Sequence, residues 1–464
     1  MSIIHELPSE FTAWLESVDP SIRLWLVGGA VRDSFLGRTT VDFDFVTTGD
    51  ALTLARMTAD ELGGDVYALD RERGTARVLL EKDSPARRIF DFAAMREATI
   101  EADLEGRDFT INAIAVDLRR PDVLLDPCGG LADIRAGVVR VCARESIGHD
   151  PVRGLRALRL ASEFGFQIDG RTRQLIHQNA SAVKLVSHER IRDELFRMLA
   201  VDEPATPYYL IRHFGFEEAV FGAALSEGDA ERVLALWREL AGILNALAPE
   251  YDPESAASAS VGLLVWQLGR FRSDLWKHLQ EEITLFRRRR ELCFLSSLFW
   301  LMPTAGDDVA RTFGDLRLSQ AEIHWVSDFI DGMDSIHELK PTPVSIYRFF
   351  RMCSSAGVCC GLVHLAHILA SEGSQVQASE WAEQVGNVRA VLEAYFERRR
   401  SLIDPEPLAT GDDLIRELNI APGPLIGQIL EVLREMQVAG QIVNRKHAIE
   451  AAQQLSARLG DDHP

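Results

Sequence analysis

The run Val41-Asp42-Phe43-Asp44-Phe45-Val46 alternates acidic and aromatic side chains. A period of two suits a β-strand, which turns successive side chains to opposite faces. It predicts a strand with phenylalanines on a buried face and Asp42 and Asp44 together on the other. Two neighbouring carboxylates repel unless a cation lies between them. Hard oxygen ligands of this kind favour Mg²⁺. Asp91, in the strand-like run Arg88–Phe92, supplies a third carboxylate. Taken alone, an Asp-x-Asp marks an exposed strand face as readily as a metal site.

The residues upstream narrow the choice. Leu26-Val27-Gly28-Gly29-Ala30-Val31-Arg32-Asp33 reads as an apolar strand that turns through two glycines into a helix. Glycine lets the backbone approach phosphates, and a helix N-terminus favours anions. Arg32 adds a charge-assisted contact. An isolated Gly-Gly turn is an ordinary strand–helix junction. Followed closely by the aspartate pair, it reads as a triphosphate cradle beside a metal site.

Residues 21 to about 140 mix strand and helix signals. Arg23–Val27, Val41–Val46, Thr75–Leu80, Arg88–Phe92, Val123–Asp126 and Val138–Cys142 are strand-like. Asp83-Ser84-Pro85 signals a hairpin between two of them. Ala51–Leu62 and Asp108–Ala115 have helical spacing. After Asp150 strand signals nearly vanish, and only helices are expected between about 201 and 400. Tyr251–Ser260 reads as a loop and Asp404-Pro405-Glu406-Pro407 as a boundary.

The net charge of −20 argues against a nucleic-acid partner, because phosphate neutralisation supplies much of that affinity. Distribution reverses the argument. Arg135–Arg159 holds six arginines against Glu145 and Asp150, and Arg171–Arg197 holds six basic residues against three acids. A basic band thus crosses an acidic chain. No run of about 18 apolar residues signals a membrane span; the longest candidate is Cys293–Met302. The N-terminus carries no basic, apolar leader pattern. Six scattered cysteines without a CxxC pair suit reduced thiols in a cytoplasmic protein.

Five segments then stand in a recognisable order. They are Gly28–Asp33, Val41–Val46, Arg107-Asp108-Phe109-Thr110-Ile111-Asn112-Ala113-Ile114-Ala115, Asp126-Pro127-Cys128-Gly129-Gly130-Leu131-Ala132-Asp133-Ile134, and Asp150-Pro151-Val152-Arg153-Gly154-Leu155-Arg156-Ala157-Leu158-Arg159. Together they closely resemble the class II tRNA nucleotidyltransferase and poly(A) polymerase family over roughly residues 20–200. A fainter likeness covers Gly411–Val443. The resemblance implies an α/β polymerase-β-like head over 1–140 and an all-α remainder. That remainder would comprise a neck over 141–200, a body over 201–400 and a tRNA-binding tail over 401–464. It implies Mg²⁺-dependent transfer of nucleotides from CTP, and possibly ATP, to a tRNA 3′ end, with no membrane partner. Asp42 and Asp44 would hold the metals, with Asp91 as third catalytic carboxylate. Gly28, Gly29 and Arg32 would hold the triphosphate, and Arg107, Asp108 and Asn112 the phosphates and ribose.

Asp150 and Arg153 match the family's base-reading motif. Asp150 can accept from an exocyclic amine and Arg153 can donate to a ring acceptor, which suits cytosine or adenine. Positions 150, 153, 156 and 159 share one side of a helix, so Arg156 and Arg159 support the pair or meet phosphate.

The sequence departs from the family in four places. His149 stands where glutamate is usual, and Gly106-Arg107 where two arginines are common. Only eleven residues separate Asp91 from Asp103. Complete CCA-adding members carry a longer segment there that helps switch from C to A, and CC-adding members resemble the short form. In the body, Leu298, Phe299 and Trp300 occupy the helix that would carry the His-Asp pair of an HD phosphohydrolase. His364 and His367 lack a nearby carboxylate set, so a degenerate HD-like scaffold is expected. CC addition leads this reading. Full CCA addition, A addition or polyadenylation, an inactive RNA-binding protein and an HD phosphohydrolase are the alternatives.

Overall fold

The computed structural model describes residues 6–82, 84, 87–252, 258–302, 315–419 and 421–460. Asp83 and Pro85 of the expected hairpin turn, and part of the loop expected after Tyr251, lie outside the described residues. The chain forms two compact units. One comprises residues 1–198 with 210–220, the other 199–209 with 221–464.

The first unit is built on a seven-stranded mixed sheet. Its strands are β1 (Leu24–Val27), β2 (Asp42–Thr47), β3 (Asp65–Asp70), β4 (Thr75–Leu80), β5 (Arg88–Ala94), β6 (Ala115–Asp117) and β7 (Arg120–Leu125). They lie in the order β3-β4-β5-β2-β1-β6-β7. β2 and β5 are parallel, with Asp44 opposite Asp91 and Asp42 opposite Ile89. β1 runs antiparallel to β2 and sets Val27 opposite Asp44.

The alternation in β2 sorts as its sequence dictates. Phe43, Phe45, Phe90 and Phe92 are buried on the face away from the aspartates, with Phe11 and Trp14 of helix α1 (Ser9–Ser17) against them. The Phe11 and Phe45 rings lie 5.1 Å apart and Phe45 and Phe92 5.0 Å apart. Each such ring contributes ~1.5–3 kcal/mol by burial, so the aromatic layer fixes which face the carboxylates occupy.

Helix α2 (Gly29–Phe35) follows β1 directly. Helix α3 (Ala51–Leu62) is capped by the Asp50 side chain on the Thr53 N–H and stops at left-handed Gly63. After α4 (Ile100–Glu105), residues Thr110–Asn112 make a single 3₁₀ turn, not the helix their spacing predicts. Helices α5 (Gly130–Ala136), α6 (Ser146–His149), α7 (Val152–Phe164), α8 (Gly170–Asn179) and α9 (His188–Leu199) follow. Two-residue strands at Val138–Val139 and Gln167–Ile168 pair in parallel, the latter a strand after Asp150.

Among its described residues the second unit is helical except for one small ribbon, Glu282–Thr284 with Arg287–Arg288, which the helix-only expectation missed. Leu298 and Phe299 are buried in the helix Arg289–Leu301. His364 bonds to Gln384 at 3.0 Å, and His367 packs against the Trp300 ring at 5.1 Å. Both histidines therefore do core work, and neither joins a metal cluster among the described residues. Helices Gly411–Leu418, Pro424–Val438 and Arg445–Gly460 close around Leu414, Ile429, Leu433 and Ala452. The apolar stretch Pro343–Glu372 is long enough to cross a membrane, but it breaks at Ser354 (φ 46°) and 67% of its apolar window is buried. It exceeds Cys293–Met302 in length and is a core pair of helices.

Candidate active site

Asp42 and Asp44 project from β2 and Asp91 from β5 onto one face of the sheet. Burial, then Asp42 and Asp91, push the Asp44 carboxyl up to about 7. Burial, then Asp91, also raise Asp42. Carboxylates that resist ionisation beside one another are the electrostatic signature of a cation site. This donor set fits Mg²⁺, which takes one or two protein carboxylates and completes its shell with phosphates and water. Among the described residues no three acidic, histidine or cysteine groups form a ready-made metal cage.

Gly28 joins β1 to α2 at φ +74°, a conformation that glycine adopts without strain. A Cβ there would lie 3.1 Å from Asp44 Oδ2 and 3.5 Å from Arg107 Nη1. The glycine thus keeps open the space between backbone, carboxylate and guanidinium. Arg107 Nε is buried without a hydrogen-bond partner. An orphaned cationic donor beside this gap suits an anionic ligand.

Arg32 lies in α2, beside the Gly28-Gly29 turn. It is 7% exposed, donates through Nη1 to Asn112 Oδ1 at 2.6 Å and through Nε to Asp33 at 2.9 Å, and packs on the Phe164 ring. It orients Asn112, which donates to Asp108 at 3.2 Å. Arg32 thus braces the turn through Asn112 and Asp33, with Nη2 3.5 Å from where a Cβ on Gly29 would lie.

Asp108 anchors a buried charge network. It accepts from the Phe109 N–H and from Arg156 Nη1 at 2.9 Å. Arg156 and Arg159 both donate to Glu194 of α9, at 2.8 and 2.9 Å. Arg159 also reaches Glu163. Burial opposes ionisation of Asp108 and Glu194, but these arginines hold both below the usual carboxylate range. Arg156 and Arg159 both brace this network, each through Nε and Nη1 on carboxylates, and Arg156 also lines the cavity described below. Much of the basic band is paired internally in this way.

Asp150 lies before α7, in the turn after α6, not on the helix with Arg153. The shared side expected for positions 150 to 159 therefore holds from 153 onward. Arg190 of α9 donates to both Asp150 oxygens, at 3.0 and 2.7 Å. Arg153 donates to Ser146 Oγ at 2.7 Å and to the Arg107 carbonyl at 3.4 Å, with Nε 3.8 Å from Asp150. His149 is exposed.

A cavity of about 430 Å³ joins the parts. Asp44, Asp91, Arg107, Asp108, Asp150, Arg153, Arg156 and Arg190 line it. Asp42, Gly28, Gly29, Arg32, Asn112 and Arg159 flank or brace it without lining it. Sequence reasoning missed Arg77, Arg190, Glu194 and Ser146 as site residues. Arg190 and Glu194 are four apart on one face of α9, the only local signal they carry.

Residue 95–99 connects β5 to α4 in five residues. The Met95 N–H donates to the Thr47 carbonyl at 2.9 Å, and the Arg96 N–H to Asp103 Oδ1 at 3.0 Å. The Thr99 side chain caps α4. The short segment is tied at both ends.

Residues 24–140 match the family described as Poly A polymerase head domain, 165–226 the probable RNA and SrmB-binding site of polymerase A, and 289–452 a putative tRNA nucleotidyltransferase domain 2. The chain is 32% identical over 96% of both chains to the CC-adding tRNA nucleotidyltransferase of Geobacter sulfurreducens. It is 30% identical to the CC-adding tRNA nucleotidyltransferase of Synechocystis, over 93% of each. Its fold is similar to that of a CCA-adding enzyme solved with ATP, at a TM-score of 0.62 and 22% identity, covering 98% of this chain and 97% of the other.

Proposed function

The chain belongs to the class II tRNA nucleotidyltransferase and poly(A) polymerase family, and on that premise we propose that it adds two cytidylates to tRNA 3′ ends, releasing pyrophosphate each time. The observation that carries the C-specific part is the tethered five-residue connection between β5 and α4. The CC-adding relatives support the same reading.

In this reading Asp42 and Asp44 hold Mg²⁺. The ion supplies Lewis-acid activation of the RNA 3′-hydroxyl and charge stabilisation of the departing pyrophosphate. The 3′-oxygen attacks the α-phosphorus of CTP, the bond to the β-phosphate oxygen breaks, and the hydroxyl proton leaves to solvent. Arg107 meets the phosphates with its guanidinium, whose Nη1 borders the gap at Gly28, and the backbone at Gly28 and Gly29 leaves room for them. Asp108 and Asn112, fixed by Arg156 and Arg32, face the ribose side.

Asp150 accepts from the exocyclic amine of the base. Arg190 occupies both its oxygens, but each carboxylate oxygen has a second lone pair. Uracil and guanine present a carbonyl at the corresponding position and leave that acceptor unpaired. A tail that contacts tRNA and a cytoplasmic setting belong to the same reading, and six free cysteines accord with the second. The test is direct. The protein is incubated with tRNA ending before CCA and given CTP, ATP or both, and the 3′ ends are sequenced. The reading expects CC with CTP and no further growth with ATP.

A further inference from the structure

One register row crosses five strands of the sheet. It runs Tyr67, Arg77, Asp91, Asp44, Val27. Residues opposite one another in register share a face. The row therefore sets two carboxylates side by side, with Asp42 two residues along β2, and follows them with an arginine. By register alone this is a three-carboxylate site. Yet among the described residues no three such groups are gathered closely enough to hold a metal.

Arg77 engages the Asp91 carboxylate. Its Nε donates to Asp91 Oδ1 at 2.8 Å and its Nη2 to Oδ2 at 2.7 Å. This is a two-pronged contact, and guanidinium stays protonated at any pH the protein survives. Both partners are only about a quarter exposed, so water competes weakly for them. Asp91 thus has both oxygens engaged, while Asp42 and Asp44 carry no such cation.

We propose that Arg77 withholds Asp91 from the metal, so that Asp42 and Asp44 are the only protein ligands and the nucleotide's phosphates must complete the site. The inference rests on the reading of Asp42 and Asp44 as the metal-holding pair. It makes Arg77 a positioning residue. Its guanidinium keeps the nucleotide-free protein a poor metal binder, and metal and nucleotide are retained together. Removing the fork frees a third carboxylate and deletes one positive charge beside the site. Both changes favour a divalent cation.

The test measures Mn²⁺ uptake by the full-length protein at pH 8 without nucleotide, from the loss of the free-ion spin-resonance signal. Arg77→Met is expected to bind Mn²⁺ ~5-fold or more tighter than the parent, since one unit charge at this range is worth about 1 kcal/mol in a partly hydrated site, while its CTP incorporation falls. Adding Asp91→Asn to Arg77→Met is expected to return binding to the parental value. A merely structural role would weaken binding and activity together. Arg77→Gln, which keeps one donor, carries the test should the methionine variant unfold. Unchanged or weaker Mn²⁺ binding in the folded variants overturns the inference while leaving the metal reading intact. If Asp42→Asn added to Arg77→Met leaves Mn²⁺ binding as tight as in Arg77→Met alone, the metal reading falls and the inference with it.

Discussion

Arg190 of α9 forks the carboxylate of Asp150, with both nitrogen–oxygen distances at or below 3.0 Å. The two residues are 40 positions apart, and they bind the turn before α7 to the helix that also carries Glu194. Glu194 in turn grips Arg156 and Arg159 of α7. Helix α9 thus clamps both the turn at Asp150 and helix α7. The carboxylate that would choose the base is held in one orientation before any nucleotide arrives.

Asp150→Ala is expected to relax base choice and to spare metal chemistry. Losing an acceptor for the exocyclic amine should lower discrimination of CTP over UTP by ~1–3 kcal/mol. Arg190→Ala should lower it less, by letting Asp150 turn, and Arg190→Lys should lie between. The ratio of kcat/KM for CTP and UTP measures all three. An unchanged ratio in Asp150→Ala removes that residue from base reading.

Asp42→Ala or Asp44→Ala should reduce C incorporation by about three orders of magnitude or more, the effect of removing ~4 kcal/mol of charge stabilisation. Phe43 and Phe45 hold the strand from its other face, so folding and tRNA binding should persist. Gel-shift and primer-extension assays separate the two properties. Near-parental turnover in either variant contradicts the metal assignment.

The Asp44 carboxyl, pushed up to about 7 by burial and its acidic neighbours, gives a pH dependence of known sign. An acid with a raised folded-state pKa prefers its proton when folded. Its contribution is present below the ordinary carboxylate range near 4 and is lost as pH rises through about 7. The metal-free parent should therefore lose thermal stability relative to Asp44→Asn as pH rises over that window. Mg²⁺ competes with the same proton, so it should raise the parent's Tm more at pH 8 than at pH 5.5. Equal Mg²⁺ shifts at both pH values would contradict the prediction.

Gly130 opens α5 against the turn that carries Asp108 and Asn112. A Cβ there would lie 2.1 Å from the Thr110 carbonyl oxygen, and backbone cannot yield as a flexible side chain does. Gly130→Ala should cost ~3 kcal/mol and weaken CTP binding by displacing the turn. Gly129→Ala meets nothing within 4 Å and suffers only the strain of a left-handed backbone, so it should cost ~1–2 kcal/mol. Denaturant melts of the pair check the order.

How legible the site was depended on whether each signal was local. Alternation in β2 disclosed its two faces, and Asp50 and Gly63 bracket the helix that spacing predicts over Ala51–Leu62. β3 escaped because it is an edge strand whose side chains are nearly all exposed, leaving no inside–outside period to read. Asp108–Ala115 has helical spacing, yet the Asp108 side chain bonds its own neighbour's N–H and Thr110 bonds Asp133, which favours a tight turn. Arg77, Arg190 and Glu194 acquire meaning only from partners 14 to 40 residues distant, which no motif spacing encodes.

The connection between β5 and α4 governs the last prediction, that the protein stops after two C additions even with ATP in excess. A pocket that has read two pyrimidines must shift to accept a purine, and something mobile has to move it. Here Asp150 is forked by Arg190, and Arg153 is tied to Ser146 and to the Arg107 carbonyl. The segment from Met95 to Thr99, whose Arg96 lines the same cavity, is only five residues long. Its first amide is bonded to Thr47, its second to Asp103, and its last side chain caps α4. Asp103 is itself buried and lies 3.6 Å from Arg107, so the tether ends on the cavity wall. A segment bonded at both ends transmits no large displacement. Efficient conversion of a CC-ending tRNA to CCA by the purified protein would refute the prediction. If a longer loop grafted after Met95 still permits no A addition, stopping at CC stands, and the clamp on Asp150 becomes its principal cause.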